Sequence, residues 1–229
     1  MKKLVLILFV CLLGVSSFGQ NVQTHYDLGK GREYLTTTVE MFRPDKFGST
    51  FFFIDMNYGQ AGVEGVSMAY WEIARAITLF KSPIAVHVEY NGGFGQFMPG
   101  GAYQINDAYL GGLEYSLNAK DFSRGITIQT LFKSIRGKNE ASFQLTGVWY
   151  MNCFKNKVTF NGFADFWKED SDFNFDGTTD AEFTFLAEPQ LWYNFCKNFS
   201  AGGEVELSNN FGGNEGFMVN PTAALKYTF

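Results

Sequence analysis

The C-terminal stretch "GFMVNPTAALKYTF", residues 216–229, gives the strongest indication of the fold. Every second residue, counted back from the end, is apolar or aromatic: Phe229, Tyr227, Leu225 and Ala223. The residues between them are mostly polar: Thr228, Lys226, Ala224 and Thr222. Chain ends usually fray and are polar. A period of two that runs to a terminal aromatic residue therefore predicts a last β-strand with a partner to hold it.

The composition places polar residues between many aromatic ones. Aromatic residues make up 18% of the chain, yet the mean hydropathy is only −0.09. A helical membrane protein would instead contain apolar runs of about 20 residues. One long apolar run exists, at the N-terminus, and the rest of the chain alternates.

The N-terminal run "MKKLVLILFVCLLGVSSFGQ" predicts a cleaved secretory signal peptide over residues 1–19. Lys2 and Lys3 precede an apolar segment, and Ser17 and Gly19 are the small residues before the cut at Gln20. A lipoprotein anchored at Cys11 is the alternative, which the bulky residues before Cys11 disfavour. The mature chain, 20–229, is predicted to be one domain.

Period-two patterns recur along the whole mature chain, and we predict twelve strands from them. One segment, "AYWEIARAITLF" (69–80), also fits a helix. The predicted strands are 21–29, 33–44, 48–59, 66–80, 83–93, 104–119, 123–136, 139–154, 156–168, 180–196, 198–210 and 216–229.

The predicted links alternate in length. Links after even-numbered strands are short, and those after most odd-numbered strands are longer: 60–65, 94–103, 169–179 and 211–215. Short turns on one side and long loops on the other are typical of antiparallel outer-membrane β-barrels. We therefore predict an all-β transmembrane antiparallel barrel of twelve strands in the outer membrane of a diderm (Gram-negative) bacterium, surrounded by the lipid bilayer. A soluble β-sandwich is the alternative.

Closure of such a barrel explains the aromatic terminus, because the last strand pairs with the first and does not fray. Tyr227 and Phe229 are then expected to face the lipid interface. A terminal aromatic residue after alternating apolar residues also resembles the signal that the outer-membrane assembly machinery reads. Phe229 is thus predicted to contact that machinery.

Sequence motifs for enzymes, metals or cofactors are lacking. The chain has two histidines, His25 and His87, which excludes a site of several histidines, and we predict no cofactor. His87 and Glu89 share a strand face and could form half of a hydrolytic relay, so a barrel enzyme remains an alternative. The net charge of −5 argues against nucleic acid as a partner.

The polar faces of the strands are expected to line the barrel interior, which would be narrow, acidic and rich in aromatic rings. Arg75 has the opposite parity to Glu72, and we predict that a bulge turns it inward to pair with Glu72 or Asp55. Either a channel or a plug of salt bridges fits this lumen. The predicted lining is His25, Asp27, Glu40, Phe51, Phe53, Asp55, Asn57, Tyr70, Glu72, His87, Glu89, Asn91, Glu114, Asn161, Asp165, Trp167, Glu188, Trp192, Glu204 and Glu206.

Four segments carry a family resemblance: "YLTTTVEMF" (34–42), "FFFIDMNYG" (51–59), "YWEIARAITL" (70–79) and "DAYLGGLEYS" (107–116). With twelve strands and a terminal Phe, the chain resembles the nucleoside-specific channel-forming (Tsx-like) outer-membrane proteins, and more closely a Bacteroidetes-type branch of them. The resemblance implies a narrow passage for nucleosides. It makes Phe53, Asp55, Tyr70, Glu72 and Arg75 candidate solute contacts, to which lumen position adds His87, Glu89, Asp165 and Trp167.

Three further features remain open. The loop "DFNFDGTTDAEF" (172–183) spaces acidic residues like a calcium loop, but Phe183 replaces the usual final Glu, which favours a solvated turn. Cys153 and Cys196 could form a disulfide or stay free. A structural or adhesive barrel, acting through loops 94–103 and 169–179, is a further alternative function.

Overall fold

The chain forms one antiparallel sheet that closes on itself. The computed structural model describes residues 19–80, 82–138, 141–173, 177 and 180–229; the predicted signal peptide lies outside the described residues, apart from Gly19. The strands are β1 (Gln20–Asp27), β2 (Leu35–Asp45), β3 (Gly48–Tyr58), β4 (Val66–Thr78), β5 (Ile84–Phe97), β6 (Gly101–Asn118), β7 (Arg124–Ile135), β8 (Ser142–Cys153), β9 (Val158–Ser171), β10 (Asp180–Ala187), β11 (Gln190–Asn194), β12 (Phe199–Asn209) and β13 (Phe217–Thr228).

The sheet closes between its first and last strands. Asn21 pairs with Thr228 and Asp27 pairs with Thr222, so β1 and β13 are in contact along their length. The backbone N–H of Phe229 donates to the carbonyl of Gln20 at 3.1 Å. The C-terminus is therefore held in the sheet, as the alternation in residues 216–229 predicts.

The thirteen strands occupy twelve positions around the barrel, because β10 and β11 are two halves of one position. Both halves pair with β9 on one side and β12 on the other. The interruption falls at Glu188 and Pro189, and Pro189 has no N–H to give to a ladder. The all-β, twelve-stranded antiparallel barrel predicted from the sequence is confirmed.

The ambiguous segment 69–80 forms strand, since residues 66–78 make up β4. Ile73 and Ile77 point to the outer face, and they alternate with Glu72, Ala74 and Ala76 on the inner face. No helix in the described part of the chain is long and apolar enough to cross a membrane.

The links at the two ends of the barrel differ in length. We define the turn rim as the end that carries both chain termini and links 46–47, 79–83, 119–123, 154–157 and 195–198. The loop rim is the opposite end, with links 28–34, 59–65, 98–100, 136–141, 172–179 and 210–216. The predicted long loop 94–103 is wrong, because its residues continue β5 and β6: Phe94 pairs with Gln104 and Phe97 with Gly101.

The outer wall is apolar and the interior is polar. Ile73, Phe132 and Leu225 are about half exposed on the outer face, and Tyr227 and Phe229 are 48% and 64% exposed beside the turn rim. Gln23, His25 and Thr184 are almost completely buried inside. This inversion of a soluble core is the arrangement of a barrel that contacts lipid.

Candidate functional site

The predicted lumen residues lie on the inward face of the barrel wall, where period-two alternation directs them. His25 and Asp27 are 2% and 3% exposed, and Trp192 is completely buried. Whether any of these side chains contacts a solute remains a prediction. The candidates Phe53, Asp55, Tyr70, Glu72, His87, Glu89, Asp165 and Trp167 all share this interior.

Arg75 is the exception, and the inward position predicted for it is wrong. Its guanidinium donates to both carboxylate oxygens of Asp45, at 2.7 and 3.0 Å, and to the Thr50 hydroxyl at 3.0 Å. β4 keeps strict alternation from Glu72 to Arg75 against β3, so no bulge turns Arg75 inward. Near the turn rim the side chain reaches a carboxylate at the strand end, which removes the cost expected for an arginine in mid-membrane.

An aromatic ladder lies on one wall of the lumen, formed by Phe51, Phe53 and Tyr70. The ring centroids of Phe51 and Phe53 are 6.0 Å apart, and those of Phe53 and Tyr70 are 5.9 Å apart. Phe51 and Phe53 are two residues apart on β3 and share its inner face. Tyr70 on β4 pairs with Asp55 of β3, so the three rings follow one another along the wall. All three are half-buried and keep part of their surface open to the interior.

Acidic side chains occupy the middle of the lumen on opposing walls: Asp55, Glu72, Asp165, Glu188 and Glu204. Neutral donors position four of them, including Asp55, which accepts from the Thr38 hydroxyl. The Tyr70 hydroxyl donates to Glu72 at 2.7 Å, Thr146 to Asp165 at 2.5 Å, and Gln190 to Glu204 at 2.9 Å. These five carboxyl residues are half-buried and keep part of their surface accessible.

Glu188 reaches this centre from the interrupted strand position. It lies between β10 and β11 and interacts electrostatically with Asp55 and Glu72 on the facing wall. Its backbone N–H donates to Phe163 at 3.0 Å, and the Pro189 carbonyl accepts from Val205 at 3.1 Å. The break thus stays bonded to both neighbours while it carries a carboxylate into the lumen.

His87 is held between two carboxylates. Its Nδ1 lies 2.9 Å from Glu114 and its Nε2 lies 3.0 Å from Glu89. Because carboxylates only accept hydrogen bonds, both ring nitrogens donate and the ring is cationic. Both side-chain partners of His87 among the described residues are carboxylates, so Glu89, His87 and Glu114 form an ion triad.

Two lysines line the lumen that the sequence-based prediction did not include in its lining: Lys133, which is buried, and Lys226, which is half-buried. The Nζ of Lys133 is 4.0 Å from the Trp167 ring centroid and donates to Gln144 at 2.7 Å. The Nζ of Lys226 is 3.8 Å from the Trp192 centroid. Alternation could have found both, since Lys226 has the opposite parity to Tyr227 and Lys133 follows the inward Leu131 by two residues.

Arg32 is a further basic residue that the sequence did not single out. It lies in link 28–34 and binds Asp27 at 2.6 Å and Glu206 at 2.7 Å. Burial alone would lower the pKa of its guanidinium, but the hydrogen bond and charge of Glu206 raise the pKa above the usual value. It fastens the β1–β2 link to β12 at the loop rim.

The calcium and disulfide hypotheses receive no support from the residues that can be described. No group of three or more His, Cys, Asp or Glu residues within the described ranges is arranged to hold a metal ion. Residues 174–176 and 178–179 of the proposed calcium loop lie outside them, and Asp172 accepts from the Gly177 N–H at 2.9 Å. Cys153 and Cys196 are both free.

Comparison with known proteins gives a family and a fold. A family model described as Domain of unknown function (DUF5020) matches residues 19–229. No curated protein matches the chain. Two solved structures are similar over 92% of this chain and 98% of theirs at 12% identity: a KdgM porin with a TM-score of 0.53, and a KdgM porin in complex with disordered oligogalacturonate with a TM-score of 0.52. At this identity the likeness shows a shared barrel fold.

Proposed function

This chain belongs to the family described as Domain of unknown function (DUF5020), and we propose that it forms an outer-membrane channel for the passive uptake of small polar solutes. The observation that carries the proposal is the aromatic ladder of Phe51, Phe53 and Tyr70 beside half-buried carboxylates in a polar lumen. Polar groups and rings that bind weakly and repeatedly let a solute enter and also leave. A plug would instead bury these groups completely.

Nucleosides are the solute class that we propose first. A flat base stacks on aromatic faces, while carboxylates and amides bind ribose hydroxyls and ring nitrogens. Tyr70 combines both features, because its ring extends the ladder and its hydroxyl donates to Glu72. The resemblance to nucleoside-specific channels adds support for this choice.

The negative charge of the lumen favours a solute that differs in charge from the ligand of one similar structure. That KdgM porin was solved with oligogalacturonate, a polymer of acidic sugars. The lumen here carries Asp55, Glu72, Asp165, Glu188 and Glu204 near its centre, and like charges repel in such a confined space. We therefore propose a neutral or cationic solute for this channel.

Targeting follows from the same proposal. The segment 1–19 directs secretion and is removed, and Phe229 at the end of β13 presents the barrel to the outer-membrane assembly machinery. Cleavage before Gln20 agrees with the position of β1, whose first residue is Gln20. N-terminal sequencing of the membrane-inserted protein tests the cut, and a mature chain that begins elsewhere contradicts it.

Conductance in planar lipid bilayers tests the channel, with uridine and adenosine added as competing solutes. We expect open-channel current that these nucleosides reduce. Phe53→Leu should weaken nucleoside block by roughly fivefold, because an aromatic contact contributes about 1 kcal/mol beyond its area. Phe52→Leu is the matched control, since Phe52 precedes it on β3 and points to the outer face.

Three results would contradict the proposal. A folded barrel that carries no current is not a channel. Current that nucleosides leave unchanged rejects the solute class, and an equal effect of both Phe variants rejects the role of the ladder.

A further inference from the structure

One side chain deep in the lumen has an unused hydrogen-bond acceptor. Asn91 is only 5% exposed, and its Nδ2 donates to Glu89 at 2.9 Å. Its Oδ1 has no hydrogen-bond partner among the described residues. The orientation of the amide is fixed by Glu89, because the flipped amide would place its oxygen against a carboxylate.

The groups around Asn91 are also acceptors. Glu72 lies opposite Asn91 in the β4–β5 register, so both side chains point into the same part of the lumen. Glu72 interacts electrostatically with Glu89 and Asp165. Glu72 and Asp165 are half-buried, so both keep part of their surface accessible inside the barrel.

The donors nearby are already engaged. The Tyr70 hydroxyl donates to Glu72, and His87 bridges Glu89 and Glu114. The ammonium group of Lys133 donates one of its N–H groups to Gln144, lies over Trp167, and interacts electrostatically with Glu72 and Asp165. None of these donors bonds the free oxygen of Asn91, and the four carboxylates of Glu72, Glu89, Glu114 and Asp165 outnumber the two cations His87 and Lys133, so a further cationic donor would complement the cluster.

We propose that Asn91, Glu72, Glu89 and Asp165 form an ammonium subsite, which binds the amino group of an amine-bearing solute on its way through the lumen. This inference rests on the proposed channel function and names a solute class for it. An ammonium group has three donors and no acceptor, so it complements a neutral amide oxygen beside carboxylates.

The aromatic ladder leads to this subsite. Phe53 pairs with Glu72 across β3 and β4, and Tyr70 both contacts Phe53 and donates to Glu72. A solute with an apolar or ring portion and an amine can therefore place its two ends on adjacent groups.

Calorimetric titration of the detergent-solubilised, folded protein with 1,4-diaminobutane tests the subsite, with 1,4-butanediol as the uncharged compound of equal length. We expect the diamine to bind and the diol not to bind. Asn91→Leu and Glu72→Gln should each raise the Kd of the diamine about tenfold or more, as expected for the loss of one hydrogen bond to a charged group. Heat-modifiable migration on gels verifies folding, and Glu72→Gln preserves shape should Asn91→Leu not fold.

Asn220→Leu is the matched control. Asn220 is 3% exposed and its Nδ2 donates to Glu206 at 2.9 Å, so this change also removes an amide–carboxylate hydrogen bond from a buried site. Its Oδ1 is not among the unpartnered buried atoms, and we expect the Kd to stay within about twofold of the parent. The subsite would be overturned if Asn220→Leu raised the Kd of the diamine as much as the subsite variants do. It would also be overturned if neither subsite variant raised that Kd.

Conductance of the same preparations separates the two proposals. Diamine binding in a barrel that carries no current leaves the subsite standing and contradicts the channel. Current in a barrel that binds the diamine no better than the diol leaves the channel standing and contradicts the subsite.

Discussion

Arg75 and Glu72 are three residues apart on β4, yet their side chains lie on opposite faces of the wall. Glu72 accepts from Tyr70 inside the barrel, and Arg75 binds Asp45 outside it near the turn rim. An odd spacing on a strand places side chains on opposite sides unless a bulge intervenes. An outward charge is tolerated only when it lies near the end of the barrel and not at the membrane centre. Arg75 lies near the turn rim, where the carboxylate of Asp45 pairs with it.

The outward position of Arg75 has a measurable consequence at the level of single residues. Arg75→Gln should leave conductance, ion selectivity and nucleoside block unchanged, since the side chain does not reach the lumen. Glu72→Gln, three residues away, should change both selectivity and block. Single-channel recording of the two variants checks this, and an altered selectivity in Arg75→Gln would refute the outward placement.

Most elements could be predicted because each strand carries its own alternation. β7, β8, β12 and β13 begin and end within a few residues of the predicted bounds. The stretch "NGGFGQFMPGG" (91–101) overlaps the predicted loop 94–103, and its glycines are residues that mark turns in many sequences. Here they permit close packing of a hairpin: a Cβ on Gly95 would lie 2.2 Å from the Tyr103 ring, which covers that position.

The interruption between β10 and β11 shows what local patterns omit. Pro189 was a visible signal, yet the predicted strand 180–196 ran through it. The break depends on partners distant in sequence, since Glu188 bonds to Phe163 on β9 and Pro189 accepts from Val205 on β12. No pattern within one strand reveals which neighbours leave room for such a break.

Gly162 provides that room on β9, and its substitution tests the element. A Cβ there would lie 2.4 Å from the Glu188 carbonyl oxygen, so Gly162→Ala should destabilise the barrel by about 1–3 kcal/mol through overpacking. Gly147→Ala on the neighbouring β8 is the control, because a Cβ at Gly147 meets nothing within 4 Å. Urea unfolding in detergent micelles measures both, and equal stability of the two variants would contradict this view of the break.

At the scale of the whole molecule, closure brings together groups that no segment of sequence relates. Alternation predicted that Asp55, Glu72 and Glu188 face inward. It could not show that Glu188 and the β3–β4 pair face each other across the lumen, because that depends on strand number, tilt and register. The free oxygen of Asn91 and the rings beneath Lys133 and Lys226 likewise emerge only from the closed barrel.

The facing carboxylates predict the ion selectivity of the complete barrel. Acidic side chains outnumber basic ones in the lumen, and a low-dielectric wall concentrates their field, so K⁺ should permeate several-fold better than Cl⁻. The preference should decrease in concentrated salt, because the Debye length falls from about 10 Å at 0.1 M to about 3 Å at 1 M. Reversal potentials across a KCl gradient measure it.

Glu188→Gln combined with Glu204→Gln should bring the permeability ratio toward unity. The control is Glu64→Gln with Glu215→Gln, which removes two exposed charges from the loop rim and should leave the ratio unchanged. A barrel that prefers Cl⁻ would show that Lys133, Lys226 and His87, and not the central carboxylates, set the potential along the path.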